Sequence, residues 1–507
     1  MSFIDYVFIP LIFIVVLIYF VSPIKYRWIV LLLASILFFC TWGVNMLPLA
    51  IGATIVAWIV SNVIEKWNVN FDVEVKNNDS YDQSEKNVLQ KKLKTRCKYV
   101  LWIGVVLVLS VLLFSKVESV FILGVSYYTM SLIGYMADVY WKKEKAEKNL
   151  FKLMLFTLYF PKILQGPISK HKNIKASLYE GTSFEYKRFC YGLQRVLWGY
   201  FKKLVIADRL LLFIQPAFVN YENYHGSILL VAAVFSALQM YCDFSGCMDI
   251  ALGVSEIFGI KLEENFKRPF FAKSVPEFWT RWHISLSTWF KDYIYMPIVI
   301  SPKIIKISGK LKKAFGKRVA KNFVTIVPVM TVWTITGLWH GTGWNYVAWG
   351  VYWAILFILS TILDPEIKKI TKVLHINTET KDFQLFRQIR TIALFVICRV
   401  IVYPADLNVS KEVFEKIFFN FGPWQLLDGT LYTVGLDQAG FMLVVFALLL
   451  MYVISKKQEQ GIKIRDEIAS LSIVGRWIVY LAGIVGVLIF GIYGPGFDAA
   501  SFVYMNF

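Results

Sequence analysis

Charge is what this sequence has least of. Asp, Glu, Lys and Arg together make up 18% of its 507 residues, whereas a soluble domain of this size carries nearer a quarter. The charges that are present gather in short blocks. Between them, residues 6–21, 28–40, 46–60, 100–114 and 440–454 form nearly charge-free stretches of spanning or slightly sub-spanning length, and 151–159, 228–242, 323–338, 344–362, 392–402 and 478–492 add further apolar runs. With 57% hydrophobic residues and a mean hydropathy of +0.55, the chain reads as an all-α integral membrane protein, because backbone groups in lipid must bond within their own segment. About ten to thirteen transmembrane or re-entrant helices are expected, some too short to cross unaided.

Other absences narrow the chemistry. There is no Gly-rich phosphate loop, no G-x-S-x-G elbow and no H-E-x-x-H, which excludes the motif-bearing NTPases, serine hydrolases and zinc peptidases. The six cysteines show no C-x-x-C spacing, so neither a disulfide framework nor a metal site is expected. No internal repeat is visible, which weakens a transporter reading, since many secondary transporters are built from related halves.

What is abundant is positive charge. The formal net charge of +19 points to cytoplasmic loops of a multi-pass protein and not to nucleic acid, because such loops are rich in Lys and Arg. Lys25 and Arg27 follow the first span, a run around 86–98 follows the third, and a run over 142–148 follows the fifth, whereas the connections near 42–45 and 115–119 carry almost none. This alternation places the N-terminus outside and the basic loops inside. The first span has Asp5 before it and no basic n-region or cleavage site, and reads as a retained helix. Polar insertions near 68–98, 303–321 (eight basic residues, no acidic one) and 364–390 read as cytoplasmic loops, the first mobile with one short helix. None is long enough for a separate domain, so residues 1–507 are treated as one membrane domain.

Two stretches break the pattern. Over 160–171, Pro161, Gly166 and Pro167 interrupt an apolar context, and non-helical backbone at membrane depth must be buried in protein or line a wet cavity. Over 266–297, aromatic residues alternate with charges. Ser274 and Glu277 have capping-box spacing, and from that start Trp279, His283, Leu286 and Phe290 fall on one helical stripe, with Glu277 and Arg281 paired at i,i+4. An amphipathic helix at the interface is the expectation.

Three polar sites lie in apolar surroundings, where an ionisable group is costly. Asp243, Ser245 and Asp249 end an apolar run, with Ser245 and Asp249 on one helix face and Asp243 offset. They either pair with buried arginines and hold helices together or take part in chemistry. His283, beside Arg281, Trp282, Ser285 and Ser287, is either a packed core residue or functional. His340, between Gly337 and Gly341 and beside Trp339, has the imidazole needed to take a proton from a hydroxyl. His171, His225 and His375 read as solvated.

These residues carry a resemblance. Gln165-Gly-Pro-Ile168, Asp243-Phe-Ser-Gly246 with Asp249, Asn265-Phe-x-Arg-Pro269, Phe278-Trp-x-Arg-Trp-His-Ile-Ser-Leu-Ser287 and Gly337-Leu-Trp-His-Gly341, together with the aromatic end over 502–507, resemble the membrane-bound O-acyltransferase (MBOAT) family, in the bacterial branch typified by the alginate O-acetylation membrane protein. The resemblance implies a ring of helices around a tunnel in a bacterial cytoplasmic membrane, with His340 and His283 as the family histidines. Gln165, Asp243, Ser245, Asp249, Asn265, Arg268, Arg281, Trp282 and Trp339 would line or support the tunnel. It further implies O-acetylation of an extracytoplasmic polysaccharide. Acetyl-coenzyme A would be the cytoplasmic thioester donor and not a tightly bound cofactor, with an extracytoplasmic acyltransferase and the polysaccharide machinery as partners. Cys247 and Met248 depart from the tyrosine and serine usual in the branch, and Thr280 from its second arginine. The enzymatic rival is transfer of another acyl group, for instance D-alanine from an acyl carrier protein to teichoic acid, and because carrier proteins are acidic the basic loops do not separate the two. A transporter or lipid flippase is the rival of another class, and it has no use for two histidines in these motifs.

Overall fold

The computed structural model describes residues 1–77, 81–118, 120–341 and 343–493; the aromatic end at 502–507 lies outside them. Every regular element among the described residues is helical, as the low charge and long apolar runs require. Among the described residues seven helices are long and apolar enough to cross a bilayer: Val44–Asn77, Gln83–Val117, Gly226–Ile257, Pro302–His340, Trp344–Val373, Gln438–Glu459 and Ile473–Phe490. Phe8–Val21 is apolar but shorter. Arg27–Cys40, Val125–Tyr140, Leu150–Leu158 and Lys381–Val402 supply further helices over or near the remaining apolar runs. Polar caps start several of the long ones: Asp82 with Glu85 in a reciprocal capping box, Ser301 ahead of Pro302, Thr380, Asp437 and Ser472.

Burial separates inner from outer helices. Only 6% of the apolar window of Ile473–Phe490 and 17% of that of Gln83–Val117 is buried, against 78% for Gly226–Ile257. The outer helices therefore present Leu, Val and Ile outward, an arrangement stable in lipid and not in water.

The chain divides into two compact units. The first comprises Met1–Val196 with Ile250–Glu263. In it Leu47–Asn77, Gln83–Val117 and Val125–Tyr140 pack together, and Leu150–Leu158 packs on Arg27–Cys40. The second comprises Leu197–Asp249 with the described residues from Glu264 onward. It holds a one-turn π-helix at Phe201–Ala207, the aromatic segment after Asn265, and the hairpin of Pro302–His340 and Trp344–Val373. That hairpin is tight because a Cβ on Gly350 would lie 2.5 Å from the Trp333 carbonyl oxygen, and one on Gly337 2.5 Å from that of Tyr346.

The three polar insertions differ from expectation. Residues 68–77 and 83–98 are not a mobile loop but the extended ends of Leu47–Asn77 and Gln83–Val117. Residues 303–321 belong to the helix Pro302–His340, interrupted at Gly316. Within 364–390 only a short link separates Trp344–Val373 from Lys381–Val402. Lys, Glu and Gln are good helix formers, so charge alone did not end these helices.

Candidate functional site

The second unit brings most of the expected residues into one neighbourhood. Ser274 caps the helix Val275–Arg281, its hydroxyl accepting from the Glu277 N–H, and Glu277 pairs with Arg281 at 2.9 Å. The helix does not continue through His283, however. Trp282 is extended, His283 sits in the left-handed region (φ 45°), and a second helix runs over Ile284–Phe290. The continuous stripe of Trp279, His283, Leu286 and Phe290 is thus corrected to two short helices with His283 at their junction.

The cause of the break is Asn265. Its backbone carbonyl accepts from the Ile284 N–H at 3.1 Å, and its side-chain oxygen accepts from the Ser285 N–H at 2.9 Å. The Lys267 N–H donates to the Arg281 carbonyl. These bonds satisfy the amide donors that open the second helix and hold Trp282 and His283 between fixed ends. Arg268, the other site residue with a left-handed backbone (φ 48°), bonds Glu459 at 2.6 Å, and Arg281 bonds the same carboxylate at 2.8 Å. A non-glycine residue in this region costs of order 1 kcal/mol or more and persists only where its surroundings impose it. Here the Asn265 bonds and the Glu459 clamp impose it twice.

His283 is buried, with its ring edge-on to Phe244 at 4.8 Å and 6.4 Å from the Trp339 ring. His340 is buried at the end of Pro302–His340, 4.8 Å from Trp339 and edge-on to Trp349 at 4.9 Å. The two histidines, far apart in sequence, therefore both meet one indole. Trp282 is buried among Phe278, Phe266 and Phe395, and Trp279 packs against Trp333 and Trp353. The wall around the histidines is rigid and largely apolar, a setting that strengthens any polar interaction made inside it.

Asp243, Ser245 and Asp249 lie inside the helix Gly226–Ile257, which continues past the apolar run that they end. Ser245 and Asp249 share a face as expected: Lys202 Nζ donates to Ser245 Oγ at 2.9 Å and pairs with Asp249 at 2.5 Å. Asp243 accepts from Lys203 Nζ at 2.6 Å, and Asp208 lies 2.8 Å from the same ammonium. The expected arginine partners are thus replaced by two adjacent lysines on the π-helical turn. A buried arginine of the same unit, Arg399, donates instead to Ser236. On this π-helical turn, a feature frequent at functional sites, Lys202 and Lys203 reach two different carboxylates of the same neighbouring helix.

Gln165 belongs to the first unit. The segment 164–170 that carries it is irregular and buried except for its last residue, as the prolines implied, and neither polar atom of its amide has a hydrogen-bond partner among the described residues. Sequence reasoning missed Lys202, Lys203, Asp208 and Glu459. Two adjacent lysines in the apolar run 197–207 were a readable signal for the first pair. His171 is corrected from solvated to buried, its ring nitrogens 2.7 Å from Glu144 and 2.9 Å from the Tyr179 hydroxyl. Burial raises the Glu144 carboxyl pKa, but His171 and Lys175 outweigh it and hold the group below its usual range. His225 is half-buried against Trp424 and Asn420, and His375 is exposed.

Residues 146–309, which include the Asn265–His283 scaffold, match the model of the membrane-bound O-acyltransferase family. The "Probable alginate O-acetylase AlgI" of Pseudomonas syringae pv. tomato is 30% identical over 431 residues, covering 80% of this chain and 73% of that protein. The peptidoglycan O-acetyltransferase of Helicobacter pylori is 27% identical over 63% of this chain and 62% of its own length. The teichoic acid D-alanyltransferase of Bacillus subtilis is 30% identical over 49% of this chain and 60% of its own length. The apolar helices and these relatives make the chain a multi-pass membrane acyltransferase of the bacterial cytoplasmic membrane. The chain belongs to the membrane-bound O-acyltransferase family, and the transporter reading is set aside.

Proposed function

We propose that this chain O-acetylates an extracytoplasmic polysaccharide, taking the acetyl group from acetyl-coenzyme A on the cytoplasmic side and working with an extracytoplasmic acyltransferase partner. The observation that carries this reading is the convergence of His283 and His340, from separate motifs, on the Trp339 indole within an aromatic enclosure. An imidazole there removes the proton from an attacking hydroxyl as its oxygen bonds to the thioester carbonyl carbon. The coenzyme A thiolate then leaves and takes up a proton. His340 is the base. His283, fixed by the Asn265 bonds, orients groups around it, and Trp339 supplies an N–H toward the developing oxyanion. Acetyl is favoured over D-alanyl because the similarity to the alginate O-acetylases spans 80% of the chain, against 49% for the Bacillus subtilis D-alanyltransferase.

The test compares His340→Ala, His340→Gln and His283→Ala at matched membrane levels, reading acetyl esters and D-alanyl esters on surface polymers. General-base catalysis supplies about a hundred- to ten-thousand-fold in rate, so both His340 variants should lose acetylation while His283→Ala retains a residue. Near-normal acetylation in His340→Ala removes the proposed base. Loss of D-alanyl esters with acetyl esters intact assigns the chain to the D-alanyl reaction instead.

A further inference from the structure

The segment 302–315 is a helix of unusual composition that opens Pro302–His340, a helix long and apolar enough to cross a membrane. Ser301 caps it, Pro302 opens it, and Gly316, at φ 85° and ψ 173°, breaks it from the remainder of Pro302–His340. From 303 to 321 there are eight Lys and Arg and no carboxylate, and the apolar run of the same helix begins two residues later. At 100° per residue, Ile304, Ile307, Leu311, Ala314 and Phe315 fall within one arc. Lys303 and Lys310 border one edge of that arc and Lys312 the other, while Lys306 and Lys313 occupy the far side.

The arc is only partly covered by protein. Ile304 is buried and Leu311 half-buried, but Ile307 is 42% and Phe315 68% exposed, and all five lysines are exposed. None of these lysines forms an ion pair among the described residues. The carboxylates at the adjoining end of Trp344–Val373 are already engaged, Asp364 by Lys368 and Glu366 by Arg318 and Lys369. Positive charge flanking an exposed apolar arc, on a helix that leads through a kink into an apolar span, is the pattern of a surface-lying helix. A Lys/Arg cluster of this size on the cytoplasmic side of a span matches an anionic leaflet.

We propose that residues 302–315 dock on the cytoplasmic leaflet by binding the headgroups of anionic phospholipids. Ile307 and Phe315 enter the acyl-chain boundary, and Lys303, Lys310 and Lys312 extend their stems along the arc to place their ammonium groups on lipid phosphates. Gly316 provides the change of direction between the surface-lying segment and the span. The segment is tethered within a Debye length of the leaflet, so charge complementarity acts on it continuously, whereas a soluble acidic protein must first arrive by diffusion.

The experiment places a bimane on Phe315→Cys, and separately on Lys306→Cys, in a background without the native cysteines. The full chain is reconstituted in nanodiscs of phosphatidylcholine alone or mixed with phosphatidylglycerol, each with brominated acyl chains as quencher. The Phe315 probe should be quenched several-fold more in the phosphatidylglycerol discs, and the Lys306 probe should stay unquenched in both. Each lysine near an anionic surface contributes about a factor of five, so K303Q, K310Q and K312Q together should lower the docked population about a hundredfold. Amide hydrogen exchange of residues 302–315 in the unmodified protein reads the same event without labels, with protection expected only when phosphatidylglycerol is present. Absence of both quenching and protection overturns the proposal. So does quenching indifferent to phosphatidylglycerol and to the three lysines, or shielding that appears only when an acidic carrier protein is added.

Discussion

Lys203 is the residue whose loss should cost this fold most. Its ammonium, 1% exposed, lies 2.6 Å from Asp243 and 2.8 Å from Asp208, whose side chains are equally buried. Lys203→Met keeps much of the volume and removes the charge, leaving two buried carboxylates without the cation they now share. Removing one member of a buried pair costs about 3–5 kcal/mol, because the remaining charge is uncompensated. At 1.4 kcal/mol per tenfold, that lowers the folded-to-unfolded ratio by about two to three and a half decades. Lys202→Met should cost less, since its partner Asp249 is 15% exposed and water screens part of the loss. The assay is the monodisperse fraction after heating detergent-solubilised protein, read by fluorescence-detected size exclusion. The triple variant Lys203→Met, Asp208→Asn, Asp243→Asn should recover much of the lost stability, because it removes the stranded charges together. If Lys203→Met instead purifies with wild-type stability and loses only acyl transfer, the network belongs to the chemistry and its structural assignment fails.

Two further outcomes follow from the packing. Asn265→Ala removes the acceptor of the Ser285 N–H, a buried loss of about 1–3 kcal/mol. It should reduce acyl transfer beyond any fall in folded yield, because the turn that places His283 loosens, and a loss of activity no greater than the loss of yield would count against that role. Gly350→Val places a Cβ 2.5 Å from the Trp333 carbonyl oxygen, so the hairpin carrying His340 must open. Overpacking of this kind costs about 1–3 kcal/mol, and a thermal midpoint unchanged in the same size-exclusion assay would show that the hairpin accommodates it.

What was legible in the sequence, and what was not, divides along one physical line. Apolar length and low charge are local properties, so the all-α membrane class and most helix positions could be read directly. Motif identity was also local, and it marked His283, His340, Asn265, Arg268 and Arg281. The errors arose where a residue's conformation is set by a partner distant in sequence. The Trp279, His283, Leu286 and Phe290 spacing matches a helix, and only bonds from Asn265 and Lys267 show why the chain breaks at His283. His171 stands in a polar stretch, and its burial is accounted for by partners outside that stretch, Glu144, 27 residues earlier, and Tyr179.

The aspartates show the same division with more consequence for function. Their burial required cations, and the sequence offered arginines as the obvious donors. The structure uses Lys202 and Lys203 because the π-turn at Phe201–Ala207 directs both at one helix. Lysine is a compact charge on a flexible stem and arginine a planar fork, so an ammonium can be gripped by two carboxylates from different elements without a shared plane. Lys203 does this between Asp208 and Asp243. An Arg substitution at this position keeps the charge but must fit a larger, planar group into a space that is closed on all sides. Charge conservation alone therefore does not preserve the site, and Lys203→Arg should fall between the wild type and Lys203→Met in the same stability assay.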